Sequence, residues 1–252
     1  MRFLVTAGGT SEKIDSVRRI TNSATGRLGC RLACCLAEDS RTERIFYICG
    51  EQAARPDASK TEIIPVADAA ELEAAVRHVL AENTINAIVH SMAVSDYRVK
   101  TITTPRLLAQ ALASSTPGRD ISAESLAAAL EPEKGLERSA KLPSGENLIL
   151  ALEPTLKIIS LFHELAPDAL LVGFKLLDSV PLDTLIDTAY ELLKKNHCAY
   201  VLANDAKDIT DTAHTGYLVD QNKNVEKYLD KNAIARGIAR RLLPAGKGDS
   251  AA

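Results

Sequence analysis

Short apolar runs alternate with longer stretches of helical periodicity through most of this chain, and that rhythm limits the fold more than any other feature. Strand-type runs occupy 3–6, 45–49, 62–66, 87–91, 170–174 and 200–203. Between most of them, apolar residues recur at three- and four-residue spacing over 28–38, 69–82, 155–165 and 182–196, which predicts amphipathic helices. Strands joined through helices run parallel, and parallel strands need apolar cover on both faces. The expected fold is α/β: a three-layer, Rossmann-like arrangement with a mostly parallel sheet and helices on both faces. Ligands of such sheets bind beyond the carboxyl ends of the strands, where the strand order reverses.

Two regions break the rhythm. Residues 98–148 carry helical stretches at 105–114 and 122–130 around Thr116-Pro117-Gly118. They continue into a charged run punctuated by Lys134-Gly135 and Lys141-Leu142-Pro143-Ser144-Gly145. An excursion of this length is expected to be a lid or a dimerisation insert within a single domain spanning 1–243. Further on, 216–220 and 225–229 flank Asn222-Lys223 as a C-terminal hairpin, and a last helix is expected from about 231 to 243. The small, polar tail at 244–252 is expected to be disordered.

Composition removes several function classes. The formal net charge of -3 comes without a polybasic stretch, which argues against nucleic acid or an anionic membrane as partner. No apolar run approaches the roughly 20 residues of a membrane span, and Met1-Arg2 leads into a strand rather than a signal sequence, so the expected location is cytoplasmic. Cys30, Cys34, Cys35, Cys49 and Cys198 form no paired C-x-x-C pattern, so a metal site is not expected.

Chemistry concentrates in the first 29 residues. The opening strand runs into Ala7-Gly8-Gly9-Thr10, and a polar loop reaches Asn22-Ser23-Ala24-Thr25-Gly26-Arg27-Leu28-Gly29 where the first helix begins. Glycines at a strand end and a helix start permit close backbone approach, and a helix N-terminus favours an anion. The pattern reads as a phosphate site. An NAD(P)-binding Rossmann oxidoreductase is a weaker reading, because no glycine follows Gly8-Gly9 until Gly26 and Glu51 alone imitates a ribose-binding acid. A serine hydrolase built on His90, Ser91 and Asp96 lacks the G-x-S-x-G elbow, and neighbours on a strand point to opposite faces. His78, His163, His197 and His214 are scattered and read as surface or structural residues. Three strand ends remain as candidate walls of the site: 90–97, Gly173-Phe174-Lys175 and Ala203-Asn204-Asp205.

The ordered set Val5-Thr6-Ala7-Gly8-Gly9-Thr10, Ile14-Asp15-Ser16-Val17-Arg18, Asn22 to Gly29, Ala93-Val94-Ser95-Asp96-Tyr97, Gly173-Phe174-Lys175 and Ala203-Asn204-Asp205 closely resembles the phosphopantothenate-cysteine ligase family, also called phosphopantothenoylcysteine synthetase. The resemblance is to the free-standing bacterial form and covers residues 1 to about 243. It implies a ligase of coenzyme A biosynthesis that joins 4'-phosphopantothenate to L-cysteine through an acyl-nucleotide. The nucleotide is expected to be CTP, with ATP as the alternative, accompanied by Mg2+. A protein that kept the fold and responds to nucleotide without catalysis is the reading from a different class.

By the same resemblance, Gly9, Ala24, Gly26 and Gly29 line the nucleotide phosphates, and Phe174 and Asn204 lie beside the nucleotide. Asn22 faces the substrate carboxylate, and an amide can donate to an acyl oxygen without a carboxylate's repulsion. Met92, Ala93 and Asp96 match a segment of substrate or nucleotide contacts, part of it reaching a neighbouring subunit, which implies a homodimer, and Arg18 is a candidate anion partner for the substrate. Lys141 matches a loop lysine over the triphosphate, and Lys195 a second phosphate-binding lysine. This chain departs from the family pattern in carrying Ala24-Thr25-Gly26 in place of Ser-Ser-Gly, and Glu191 where a further lysine is usual.

Overall fold

A computed structural model describes residues 1–57, 59–115, 120–130, 136, 141–142, 145–210 and 213–243. Strand β1 (Arg2–Ala7) is followed by β2 (Ser11–Lys13), β3 (Arg19–Thr21), α1 (Arg27–Glu38), β4 (Arg44–Gly50), β5 (Thr61–Val66), α2 (Ala69–Glu82) and β6 (Ala87–His90). Then come β7 (Tyr97–Thr103), α3 (Pro105–Ser115), α4 (Ala123–Leu130), β8 (Ile149–Pro154) and α5 (Ile158–Leu165). The chain closes with β9 (Leu170–Leu177), α6 (Leu182–Lys195), β10 (Tyr200–Asp205), β11 (Gly216–Asp220), β12 (Val225–Tyr228) and α7 (Lys231–Leu242). Two compact units result, one of Met1–Thr10, Asn22–Val94 and Lys157–Ala252, the other of Ser11–Thr21 and Ser95–Leu156.

The first unit is built on an eight-stranded sheet in the order β12-β11-β10-β9-β6-β1-β4-β5. Every pairing from β10 through to β5 is parallel. Only β11 and β12 run antiparallel, as the predicted C-terminal hairpin. Alternation along β1 shows why the strand is apolar throughout. Phe3 and Val5 belong to one core cluster with Leu32 and Leu36 of α1 and Ile234 and Ile238 of α7, while Leu4 belongs to the other, with Leu72 of α2, Phe162 of α5 and Leu185 of α6. Helices therefore cover both faces, and each fully buried side chain of this kind contributes about 1.5–3 kcal/mol.

Helix starts differ in a way that matters for the site. The Asp68 carboxylate accepts from Ala70 N and Glu71 N at the start of α2, and Glu71 accepts from Ala67 N, one residue before the cap. Asp230 caps α7 on Asn232 N and Ala233 N. Helix α1 begins instead at Gly26, whose φ of 67° is left-handed and which has no side chain to cap with.

The second unit holds two small antiparallel sheets, β2-β3 and β7-β8, with α3 and α4. Its core joins Val99, Ile102 and Leu142 to Ile14, Ile20, Leu136 and Leu148. None of these four strands was expected from the sequence. In β7 the register shifts between Val99 and Thr101, so the buried Val99 and Ile102 stand three apart and the period of two is lost. Strand β8 carries the consecutive apolar run Ile149-Leu150-Ala151-Leu152, which has no alternation to betray it. The helix expected from 155 begins only at Ile158, because Thr155 donates its N–H to Asp96 O and its hydroxyl to Ser95 O. Thr116-Pro117-Gly118, Lys134-Gly135, Pro143-Ser144 and the 244–252 tail lie outside the described residues. Among the described residues no helix is long and apolar enough to cross a membrane.

Gly29 sets how closely α1 approaches the sheet. A Cβ there would stand 2.7 Å from both Ala7 Cβ and Ser91 Oγ, and Ser91 is held by a 2.7 Å hydrogen bond to Thr6 O. Replacing a helical glycine by alanine gains about 1 kcal/mol of propensity, but overpacking against a strand that cannot retreat costs about 1–3 kcal/mol. Crowding is the larger effect, so Gly29→Ala should lower Tm by roughly 2–8 °C in a thermal melt. A higher Tm would show that α1 has room to move.

Candidate functional site

The order of the parallel strands reverses between β1 and β6, since β1 is followed outward by β4 and β5 on one side and by β6, β9 and β10 on the other. Beyond these two strand ends the backbones stay in register. Ala93 N donates to Gly8 O at 2.8 Å, Thr10 N to Ala93 O at 3.2 Å, and Gly9 bridges Ala93 in parallel. Asn22 is drawn into this seam by its N–H on Thr10 O (3.1 Å) and by its Nδ2 on Val94 O (3.1 Å). One N–H of the Asn22 amide is thus fixed on Val94, which orients the other.

The glycines are required by the protein's own packing. A Cβ on Gly9 would lie 1.8 Å from Asn22 O, one on Gly8 2.5 Å from Ala53 Cβ, and one on Gly26 2.9 Å from Ala53 Cβ and 3.1 Å from Gly8 N. Ala24 N comes within 3.5 Å of that imagined Gly9 Cβ. Gly9, Asn22, Ala24, Gly26, Gly29 and Ala93 therefore gather at the switch point. Met92 sits beneath them as a core side chain.

His90 and Ser91 diverge from the end of β6. His90 Nδ1 pairs with Thr6 Oγ1 at 2.7 Å and its ring meets Phe162 edge-on at 5.1 Å, whereas Ser91 Oγ donates to Thr6 O. Burial pushes the His90 pKa down to about 4, so the ring is neutral at pH 7. His90 and Ser91 therefore do not pair as base and nucleophile.

Along the same carboxyl edge, Phe174 on β9 is half-buried and lies beside Leu202 of β10 in register. Asn204, on β10, places its Nδ2 at 3.1 Å from His214 Nε2 and donates to Thr215 O at 2.9 Å. Asp205, buried, accepts from Ser179 N, Val180 N and Lys207 N and so ties down the connection from β9 to α6. Burial is the largest influence on its carboxyl and works to raise the pKa, but those donors and the Lys207 ammonium together bring it down to about 2. Lys195 is not brought to this edge. It is the last residue of α6, at the end nearest the start of β10, where a cation complements a helix C-terminus.

Arg18, Asp96 and Lys141 belong to the second unit. The connecting residue there is Asp15, which the sequence reading quoted but assigned no role. Its fully buried carboxylate accepts from Val17 N (2.8 Å), Arg18 N (2.7 Å), Arg18 Nε (2.9 Å) and Leu142 N (3.1 Å). Arg18 Nη2 also donates to Leu142 O at 2.9 Å. The Arg18 backbone N–H acts most strongly on the carboxyl, burial opposes it, and the remaining donors help to hold the pKa far below the ordinary carboxylate range. Arg18 is thus committed to Asp15 and to the chain beside Lys141, whose own side chain is exposed. An Asp followed two and three residues later by backbone donors is the signal of an Asx turn, and it was readable in Asp15-Ser16-Val17-Arg18.

These features define a doubly wound α/β protein with a glycine-lined seam at the switch point. A family model described as the DNA/pantothenate metabolism flavoprotein C-terminal domain matches residues 1–114. The DNA/pantothenate metabolism flavoprotein from Streptococcus pneumoniae is 32% identical, and its crystal structure aligns at a TM-score of 0.79 over 96% of this chain and 98% of that one. The chain belongs to this DNA/pantothenate metabolism flavoprotein family, which bears out the resemblance drawn from the motifs. The coenzyme A biosynthesis bifunctional protein CoaBC of Thermococcus kodakarensis is 29% identical over 206 residues, 82% of this chain but 41% of that protein, so the chain spans less than half of that relative. A Cab2 variant in complex with phosphopantothenate-cysteine shares the fold at 15% identity and a TM-score of 0.65, over 96% of this chain and 84% of that one.

Asp15→Asn tests the clamp around Leu142. The amide presents an NH2 group where the carboxylate had only acceptors, so at least one N–H loses its partner. Hydrogen exchange at the Leu142 amide should quicken on the order of tenfold or more. In the wild type the folded carboxyl has the lower pKa, so the protection is complete above about pH 4 and is lost as pH falls through that folded value. Unchanged exchange in the variant would show that Asp15 does not hold this segment.

Proposed function

We propose that the chain catalyses the joining of 4'-phosphopantothenate to L-cysteine, with CTP as the activating nucleotide. The observation that carries the reading is the seam of Gly9, Ala93 and Asn22 at the switch point of a chain that belongs to this family. The name of the CoaBC relative and the ligand in the Cab2 complex support the same chemistry. A carboxylate is a poor acyl donor until one of its oxygens carries a phosphate leaving group. In the first step that oxygen attacks the α-phosphorus and the bond to pyrophosphate breaks. In the second, the cysteine amine attacks the acyl carbon, loses a proton, and CMP leaves with the shared oxygen.

The chain's residues are suited to positioning and to charge. Asn22, held through Val94 O, presents an amide N–H to a carboxylate or acyl oxygen. Gly26 brings no side-chain cap to the start of α1, so beyond Arg27 N, which donates to Thr25 Oγ1 at 3.5 Å, first-turn N–H groups would serve phosphate oxygens. Lys141 is assigned by family resemblance to the leaving pyrophosphate. Mg2+ is expected to arrive on the triphosphate. Among the described residues no three His, Cys, Asp or Glu side chains group as a metal site, and Asp205 is engaged by Ser179, Val180 and Lys207, so phosphate oxygens would hold the ion with few protein ligands.

Pyrophosphate release that requires both CTP and 4'-phosphopantothenate, followed by cysteine-dependent product, is the expected result. CTP binding without pyrophosphate release would favour the non-catalytic, nucleotide-responsive reading. Lys141→Gln should slow pyrophosphate release by about 10² to 10³, the usual loss for a charge-stabilising donor in the transition state. Asn22→Ala should impair both steps, because its amide faces the acyl group in each. A Lys141→Gln protein that releases pyrophosphate at the wild-type rate would make Lys141 a solvated loop charge.

The reading includes a homodimer and a cytoplasmic setting. Of the thirteen exposed large hydrophobic side chains among the described residues, eight belong to the second unit: Val17, Tyr97, Ile121, Leu126, Leu130, Leu150, Leu152 and Leu156. Leu150 and Leu152 alternate outward on β8, an apolar sheet face of the kind that a second copy covers. Sedimentation should report a dimer at assay concentration. A fully active monomer would refute that part of the reading.

A further inference from the structure

Asp15 carries one more oxygen than its turn uses. Its Oδ1 accepts from Val17 N at 2.8 Å and from Arg18 N at 2.7 Å, which closes the turn between β2 and β3. Ile14 N and Asp15 N both donate to Arg18 O, so the backbone closes the same turn again. An asparagine, whose amide oxygen accepts in the same way, would serve there without taking a charge out of water. The second oxygen has other partners. Oδ2 accepts from Arg18 Nε at 2.9 Å, from Arg18 Nη2 at 2.7 Å and, 127 positions along the chain, from Leu142 N at 3.1 Å.

Leu142 is held in three ways. Its N–H goes to Asp15, its carbonyl accepts from Arg18 Nη2 at 2.9 Å, and its side chain, 4% exposed, joins Val99 and Ile102 in the core of the second unit. Buried backbone donors and acceptors need partners, and here one ion pair supplies both. The neighbouring Lys141 has its Cα about 3.8 Å from that of Leu142 by covalent geometry, while its side chain is exposed. The clamp therefore fixes the root of the lysine and leaves its long stem in solvent. Asp15, Arg18, Lys141 and Leu142 all belong to the second unit.

We infer that Asp15 is a positioning residue for Lys141: its second oxygen, together with Arg18, holds the backbone from which this lysine reaches the leaving pyrophosphate. The inference rests on the ligase reading, in which Lys141 stabilises the charge that moves onto pyrophosphate. A lysine has a flexible stem, so anchoring its backbone during folding removes freedom that would otherwise be lost in the transition state. Arg18 acquires a use other than contact with substrate, since its Nε and Nη2 are taken up by Asp15 and Leu142. Asp15 acts only through the lysine, by way of Leu142.

A double-mutant cycle tests this, with pyrophosphate release from CTP and 4'-phosphopantothenate measured for the full-length wild type, Asp15→Asn, Lys141→Gln and the double variant. Asp15→Asn keeps an oxygen for Val17 N and Arg18 N and puts an NH2 group in place of Oδ2, so the turn stays while Leu142 N loses its acceptor. Asp15→Ser, whose hydroxyl can close the turn but which has no second oxygen for Leu142, is assayed beside it, with thermal melts as the control for folding. The kcat of both Asp15 variants should fall about 10- to 100-fold, the usual loss for a misplaced group, with KM for 4'-phosphopantothenate unchanged. In the Lys141→Gln background Asp15→Asn should cause no further loss. Wild-type rates in Asp15→Asn or in Lys141→Gln, or losses that multiply in the double variant, overturn the inference. Unfolding of both Asp15 variants at the assay temperature does so too, because it makes Asp15 a structural residue only. A wild type that releases no pyrophosphate sinks the ligase reading and the inference with it, whereas normal wild-type release with any of the overturning results sinks the positioning role alone.

Discussion

Close approach of backbone to backbone at the end of β1 is the constraint on which the rest of the candidate site depends. Gly9 has the Asn22 carbonyl where a Cβ would be, Gly8 has Ala53, and only because both lack side chains can Ala93 pair across and Asn22 reach Val94. The pairing carries β1 and β6 past the sheet into a short seam at the switch point. With the seam closed, the loop that leads into α1 is fixed, and the helix starts beside it with no cap from Gly26 and with Arg27 N donating to Thr25 Oγ1 at 3.5 Å. A glycine-rich strand end of this kind acts twice, through the packing it permits and through the backbone it leaves available to a ligand.

Much of this was legible before any coordinates. The buried parallel strands announce themselves as apolar runs because they are covered on both faces, and the helices between them by their spacing. The Gly8-Gly9 and Gly26 positions, Asn22, Ala93, Phe174 and Asn204 were readable as edge residues for the same reason, since strand ends in such sheets are where ligands gather. Less visible were the small sheets of the second unit. A bulge at Val99–Thr101 erased the alternation of β7, and β8 is too uniformly apolar to distinguish from a helix segment. Lys195 ends α6, where the helix expected over 182–196 placed it.

Three polar residues of structural consequence have partners that lie far away in the chain. Asp15, Asp205 and His214 each act through backbone groups or side chains distant in the chain. Asp15 joins a turn at 15–18 to Leu142, more than a hundred residues away, and Asp205 fastens the Ser179-Val180 loop at the edge of the sheet. Charged groups buried in this way are tolerated because several donors face each oxygen, so each carboxylate stays ionised despite the loss of water.

The central claim is that the substrate carboxylate is activated by attack on the α-phosphorus and that the resulting acyl-nucleotide is opened by cysteine. Isotope transfer tests it most directly. With 4'-phosphopantothenate labelled by 18O in its carboxylate, the account predicts one labelled oxygen in the phosphate of the released CMP and none in pyrophosphate, because the attacking oxygen stays with the nucleotide when the amide forms. Label appearing in inorganic phosphate, or product formed with CMP unlabelled, would contradict it.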